Sequence, residues 1–130
     1  MVTLIGMGSG SWEALSVQAQ DAVRRAGLVF GAKRLLAGLP PECTARQFAL
    51  YQPAEILETL AQAPGQDAAV LYSGDTGFYS GASGLLTPLR ALGIPARVYP
   101  GVSSIQLLAA ALGRPWQDWK LVSAHGCACD

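Results

Sequence analysis

The sequence predicts an α/β domain built on a roughly five-stranded parallel sheet with helices on both faces. Three observations carry that expectation. Short apolar runs of strand length alternate with longer stretches of helical periodicity from the N-terminus onward, the signature of successive βα units. Two apolar runs end abruptly in glycine loops, Gly6-Met7-Gly8-Ser9-Gly10 and Ser73-Gly74-Asp75-Thr76-Gly77. Composition agrees: 15 glycines in 130 residues suit many tight strand-to-helix turns, and 51% hydrophobic with 14% charged residues suits one globular core.

Taken in order, Val2-Thr3-Leu4-Ile5 reads as a short buried strand running straight into the first glycine loop. Ser16 can cap a helix over 17–26, with Val17, Ala22 and Val23 as an approximate apolar stripe and Gly27 as its stop. Leu28-Val29-Phe30 is the next strand, and Lys33-Arg34-Leu35-Leu36 a short helix ending near Gly38. Pro40-Pro41 forces a turn before a strand at 46–50. Pro53 suits the first turn of a helix over 54–62, which Pro64-Gly65 ends. A strand at 67–73 reaches the second glycine loop. A helix follows over 81–92, in which Pro88 predicts a kink or a late start. Arg97-Val98-Tyr99 is a further strand, turning at Pro100-Gly101 into a helix from Ser103 or Ser104 to Leu112. Lys120 to Ser123 resembles a last strand, and the ending at Asp130 without a following helix reads as a truncation.

Charge and cysteine content exclude several functions. Nine basic and nine acidic side chains cancel, so no overall positive field exists to hold nucleic acid or an anionic membrane. No apolar run approaches the roughly 18 residues of a membrane span, and no signal peptide opens the chain, so a cytoplasmic location is expected. Cys43, Cys127 and Cys129 are an odd number and too few for a disulfide framework. His125-Gly126-Cys127-Ala128-Cys129-Asp130 lacks the second ligand pair of structural zinc, so no metal is expected.

The chemistry is to be sought where the glycine loops leave the sheet. If both strands lie in one parallel sheet, both loops emerge at the same edge and can line one cleft. Gly6-x-Gly8-x-Gly10 partly resembles a dinucleotide fingerprint, but Ser11 stands at the third position and no acid ends the second strand. Lys33 and Arg34 could meet a 2′-phosphate, which keeps an NADP-binding oxidoreductase open; a solvated helix start is the plainer reading. With one histidine, no nucleophile elbow and no paired carboxylates in one motif, the chemistry must need few side chains. Group transfer from an activated cofactor fits, because the protein then chiefly positions two reactants.

Three ordered motifs carry a resemblance to a known family. Gly6-Met7-Gly8-Ser9-Gly10, Ser73-Gly74-Asp75-Thr76-Gly77-Phe78-Tyr79 and Pro100-Gly101-Val102-Ser103-Ser104 resemble the first-strand glycine loop, the Gly-Asp-Pro loop and the Pro-Gly-x-Ser-Ser turn of the tetrapyrrole (corrin/porphyrin) methylases, N-terminal domain. Gly31-Ala32-Lys33-Arg34-Leu35-Leu36, Pro115-Trp116 and Ser123-Ala124-His125-Gly126 are similar to its CbiE/CobL branch, which methylates precorrin-6Y and cobalt-precorrin-7. Ser9 and Thr76 stand where many members have proline.

The resemblance implies S-adenosylmethionine as methyl donor and a precorrin ring carbon as acceptor, C5 and in longer chains also C15, in cobalamin biosynthesis. It implies donor contacts at the Gly6, Gly8 and Gly10 loop and at Ser9, Ser73, Gly74, Asp75, Phe78, Ser103 and Ser104. Asp75 could accept from ribose hydroxyls or the methionine ammonium, or simply cap the next helix. Phe78 and Tyr79 could equally fill the core. Lys33, Arg34 and His125 are the candidates for the substrate. Direct in-line displacement needs alignment more than a base, and no residue stands out as that base. The family places the donor between two α/β domains, so residues 1–130 would form one wall of the cleft. A homodimer is the expected assembly. A non-catalytic fragment is the remaining alternative.

Overall fold

The computed structural model describes residues 1–74, 82–101 and 110–113. Five parallel strands form one sheet in the order β3-β2-β4-β1-β5: β1 Val2–Gly6, β2 Leu28–Phe30, β3 Arg46–Phe48, β4 Ala68–Tyr72 and β5 Ala96–Tyr99. The helices are α1 Val17–Arg25, α2 Lys33–Leu36, α3 Pro53–Ala61 and α4 Ala82–Ala91. Every residue of β1 is buried, because β4 and β5 flank it and it is covered above and below. The edge strand β3 is largely exposed and correspondingly more polar, Arg-Gln-Phe.

Chain direction fixes which face each helix covers. The β1 to β2 and β2 to β3 connections step toward the β3 edge, and the next two step back toward β5. Right-handed crossovers put connections of opposite direction on opposite faces. Accordingly α1 and α2 bury Ala19, Val23, Leu35 and Leu36 with Ile5, Val29 and Leu71 in one core. On the other face α3 and α4 bury Ile56, Ala82, Leu85 and Leu89 with Leu4, Phe30 and Val70. Successive strand residues alternate between these cores, as the two-residue period of a strand requires.

Local signals explain the helix ends. Ser16 caps α1 as expected, its Oγ accepting from the Ala19 amide at 3.2 Å. Gly27 does not end α1 in a left-handed turn. The helix already stops at an extended Ala26, and a methyl on Gly27 would meet only the end of the Gln66 side chain. α4 does not start late: it runs from Ala82 through Pro88 to Ala91. Proline inside a helix costs about 3 kcal/mol, whereas Leu85 and Leu89, both fully buried, contribute about 1.5–3 kcal/mol each. Burial wins, and the Leu92 amide donates to the Pro88 carbonyl at 3.0 Å.

A one-turn 3₁₀ helix at Trp12–Ala14, not anticipated from the sequence, closes the first glycine loop. Trp12 packs on the α1 core, and the Arg24 guanidinium sits 5.4 Å from its ring centroid. Of the helix expected to reach Leu112, residues 110–112 are helical; its earlier part and the strand expected at 120–123 lie outside the described residues.

Candidate functional site

In a parallel sheet all carboxyl ends point one way, and a crevice opens where neighbouring strands send their connections to opposite faces. Here β4 lies beside both β1 and β2, and its connection leaves toward the α4 face while theirs leave toward α1 and α2. The loops after β1 and β4 therefore part at one edge.

Those two loops are joined at their base. The Met7 amide donates to the Tyr72 carbonyl at 2.7 Å. Gly8 and Gly74 then form an antiparallel bridge, each amide donating to the other's carbonyl at 3.1 and 2.9 Å. Both have left-handed backbone, φ 60° and 69°, which a side chain would strain by about 1–2 kcal/mol. Ser9 and Ser73, on one side of the bridge, are exposed, and neither hydroxyl has a partner among the described residues.

The loop after β5 enters the same junction. A methyl on Gly6 would lie 2.7 Å from both the Gly101 nitrogen and the Gly74 carbonyl oxygen. A methyl on Gly101 would lie 2.5 Å from the Gly6 oxygen and closer still to that of Gly74. Three loops thus meet backbone against backbone. Gly101 was not among the residues expected in the site, although the Pro100-Gly101 junction after an apolar strand was its signal.

The geometry redefines what the glycines do. The Gly8 and Gly74 amides are spent on each other, and the Gly10 amide on the Met7 carbonyl at 2.9 Å. Their part in a ligand site is to shape the loops, leaving donation to the serine hydroxyls and to amides not committed to the bridge. Lys33 and Arg34, exposed at the start of α2, follow β2 at the same edge. Arg34 reaches the first loop, since a methyl on Gly10 would lie 3.3 Å from Arg34 Nη1. Asp75, Phe78, Ser103, Ser104 and His125 lie outside the described residues.

Among the described residues, Tyr72 and Glu13 are not tuned to act as a base near neutral pH. Burial pushes the Tyr72 phenol up to about 12, so it keeps its proton. The Ser11 hydroxyl, donating to Glu13 Oε2 at 2.7 Å, holds that carboxyl below its ordinary value, so it stays ionised and weakly basic. Among the described residues no three metal-ligating side chains come together, and no helix is long and apolar enough to cross a membrane. What the edge offers is a glycine junction of three loops with the exposed Ser9 and Ser73 hydroxyls and the Arg34 guanidinium beside the first loop.

A dinucleotide fingerprint belongs to a unit in which the first two strands are adjacent. Here β4 separates them, placing β2 roughly 10 Å from β1. Fold and junction together define an α/β domain whose three strand-end loops meet at one edge of a parallel sheet. Residues 1–128 match the Tetrapyrrole (Corrin/Porphyrin) Methylases, and the chain belongs to that family.

Among curated relatives, the cobalt-precorrin-7 C(5)-methyltransferase of Salmonella typhimurium is 34% identical over 97% of this chain and 62% of its own length. The precorrin-4 C(11)-methyltransferase of Rhodococcus erythropolis is 32% identical over 87% of the chain and 48% of its length. The precorrin-6Y C(5,15)-methyltransferase of Sinorhizobium is 32% identical over 99% of the chain and 31% of its length. The chain therefore spans less than two thirds of the length of the curated relatives it matches. Of solved structures, the precorrin-6Y methylase CbiE of Archaeoglobus fulgidus shares the fold at TM-score 0.77 and 21% identity, covering 96% of this chain and 65% of that one. A uroporphyrin-III C-methyltransferase from Thermus thermophilus, solved with S-adenyl homocysteine, reaches TM-score 0.68 at 25% identity over 95% of this chain and 52% of its own.

Proposed function

We infer that the chain carries one wall of an S-adenosylmethionine-dependent methyltransferase site that methylates a ring carbon of a precorrin in cobalamin biosynthesis, at C5. The observation that carries this reading is the three-loop junction at Gly6, Gly74 and Gly101, loops packed backbone to backbone with no room for a Cβ, at the edge where α/β sheets take ligands. The C5 assignment is supported by relatives named for that position that align over 97% and 99% of the chain, against 87% for the C11 enzyme.

The residues present fit such a donor. The backbone-to-backbone packing of the three loops fixes where they leave the sheet, and Ser9 and Ser73 supply exposed hydroxyls beside it. Asp75, Phe78, Ser103 and Ser104, on the same loops in sequence, complete the proposed contacts. Bound there, the donor supplies an electrophilic methyl on a sulfonium, so the chain need only orient the two reactants and exclude water. No step asks Tyr72 to release a proton. The acceptor lies at the Lys33 and Arg34 side of the edge, with His125 a further substrate candidate. A cytoplasmic homodimer is the proposed setting; Leu92 and Val98, exposed at the α4 and β5 border, are the apolar surface supporting association.

Calorimetric titration tests the reading. S-adenosylhomocysteine should bind with a 1:1 heat and NADP should not. Gly101→Ala should lose most of that heat while the chain stays folded, because its methyl drives the loops apart. NADP binding in place of S-adenosylhomocysteine overturns the assignment.

A further inference from the structure

We propose that Arg34, and not its neighbour Lys33, is the residue that selects a carboxylated acceptor by gripping one of its acidic side chains at the crevice rim. The inference rests on the methyltransferase reading above and deepens it to the acceptor side of the same site. Lys33 and Arg34 are consecutive in α2, and consecutive helix residues do not face the same way. Only one of them can lie against the first glycine loop, and it is Arg34, whose Nη1 would stand 3.3 Å from a methyl on Gly10.

Arg34 has no acidic partner among the described residues. The ion pairs there involve Met1 with Asp67 and Arg24 with Asp21 and Glu42. An exposed guanidinium beside the first glycine loop, with no carboxylate partner among the described residues, is available to an external one. Its planar fork holds a carboxylate through two parallel N–H···O bonds, which an ammonium cannot reproduce. Gly10 contributes by what it lacks: its left-handed backbone, φ 97°, would be strained by a side chain, and a methyl there would crowd the guanidinium. The ring intermediates that the relatives methylate carry acetate and propionate arms, so an arm held at Arg34 would place the ring over the β1 and β4 loops. Arg34 acts here as a positioning and specificity residue and touches no reacting atom.

Two corrin probes and two ligand classes test this on the full chain. A corrin bearing free carboxylates, dicyanocobyrinic acid, should bind the wild type more tightly than its methyl ester by at least about tenfold. Arg34→Ala should erase that preference, Arg34→Lys should restore only part of it, and Lys33→Ala should change it less than about twofold. S-adenosylhomocysteine binding and the melting temperature should stay unchanged in all three variants. Equal binding of acid and ester by the wild type, no binding of either, or an equal loss in Lys33→Ala each overturns the proposal. Failure of S-adenosylhomocysteine to bind the wild type would instead overturn the reading on which it rests.

Discussion

Gly101 shows how much of the site depends on atoms that are missing. Its hydrogen faces two carbonyl oxygens, and a methyl in its place has nowhere to go without moving three loops. The sequence placed glycine there after Tyr99-Pro100, which announces a turn but not which backbone presses on it. Tyr72 offers a test at the same scale. Its folded pKa lies about 12, above the ordinary 10, because burial penalises the phenolate. The unfolded chain therefore loses that proton first. The stabilising contribution is complete below pH 10 and is lost as pH rises toward 12. Urea midpoints measured at pH 9 and pH 11 should fall more steeply for the wild type than for Tyr72→Phe.

At the scale of elements, local chemistry and tertiary packing divide the credit. Ser16, Pro53 and the apolar spacing placed α1 and α3 within a residue or so, because caps and N1 prolines act over one turn. The late start that Pro88 suggested does not occur, because a local rule was outweighed by the burial of Leu85 and Leu89 against strands that the local sequence does not mention. Replacing it makes that balance measurable. Pro88→Ala restores an amide to the α4 ladder, and the variant should be more stable by about 2 kcal/mol, after allowing for the freer unfolded chain. A denaturant midpoint equal to or below that of the wild type would mean that Pro88 is itself part of the packing. The loop ending in Trp12–Ala14 was readable as glycine-rich but not as helical, since its single turn is held by Gln20 and the Arg24 contact from α1.

The whole molecule is where the sequence was both most and least informative. Alternating elements and glycine junctions were enough for a parallel sheet with its loops at one edge, and three motifs were enough for the family. Strand order was not readable. Nothing in Ala68-Ala69-Val70-Leu71-Tyr72 states that it lies between β1 and β2, since a strand buried on both faces looks the same at any interior position. The candidate site divides likewise: the loops were identifiable one by one, but the reciprocal Gly8 and Gly74 bridge is a property of their meeting.

That late insertion of β4 also has a consequence in time. As the chain emerges during synthesis, β1 and β2 are made first, yet they share no hydrogen bonds and leave a gap one strand wide. The first half can pair β2 with β3 but cannot join β1 to them, so β1 stays unpaired until residue 72 is out. Non-local pairing of this kind slows folding and exposes edges to aggregation. A fragment of residues 1–62 should therefore lack cooperative unfolding by circular dichroism, whereas 1–130 should show it. The strand that ends at the Gly8 and Gly74 bridge is also the one whose arrival joins β1 to β2, so that bridge cannot exist before β4 is made.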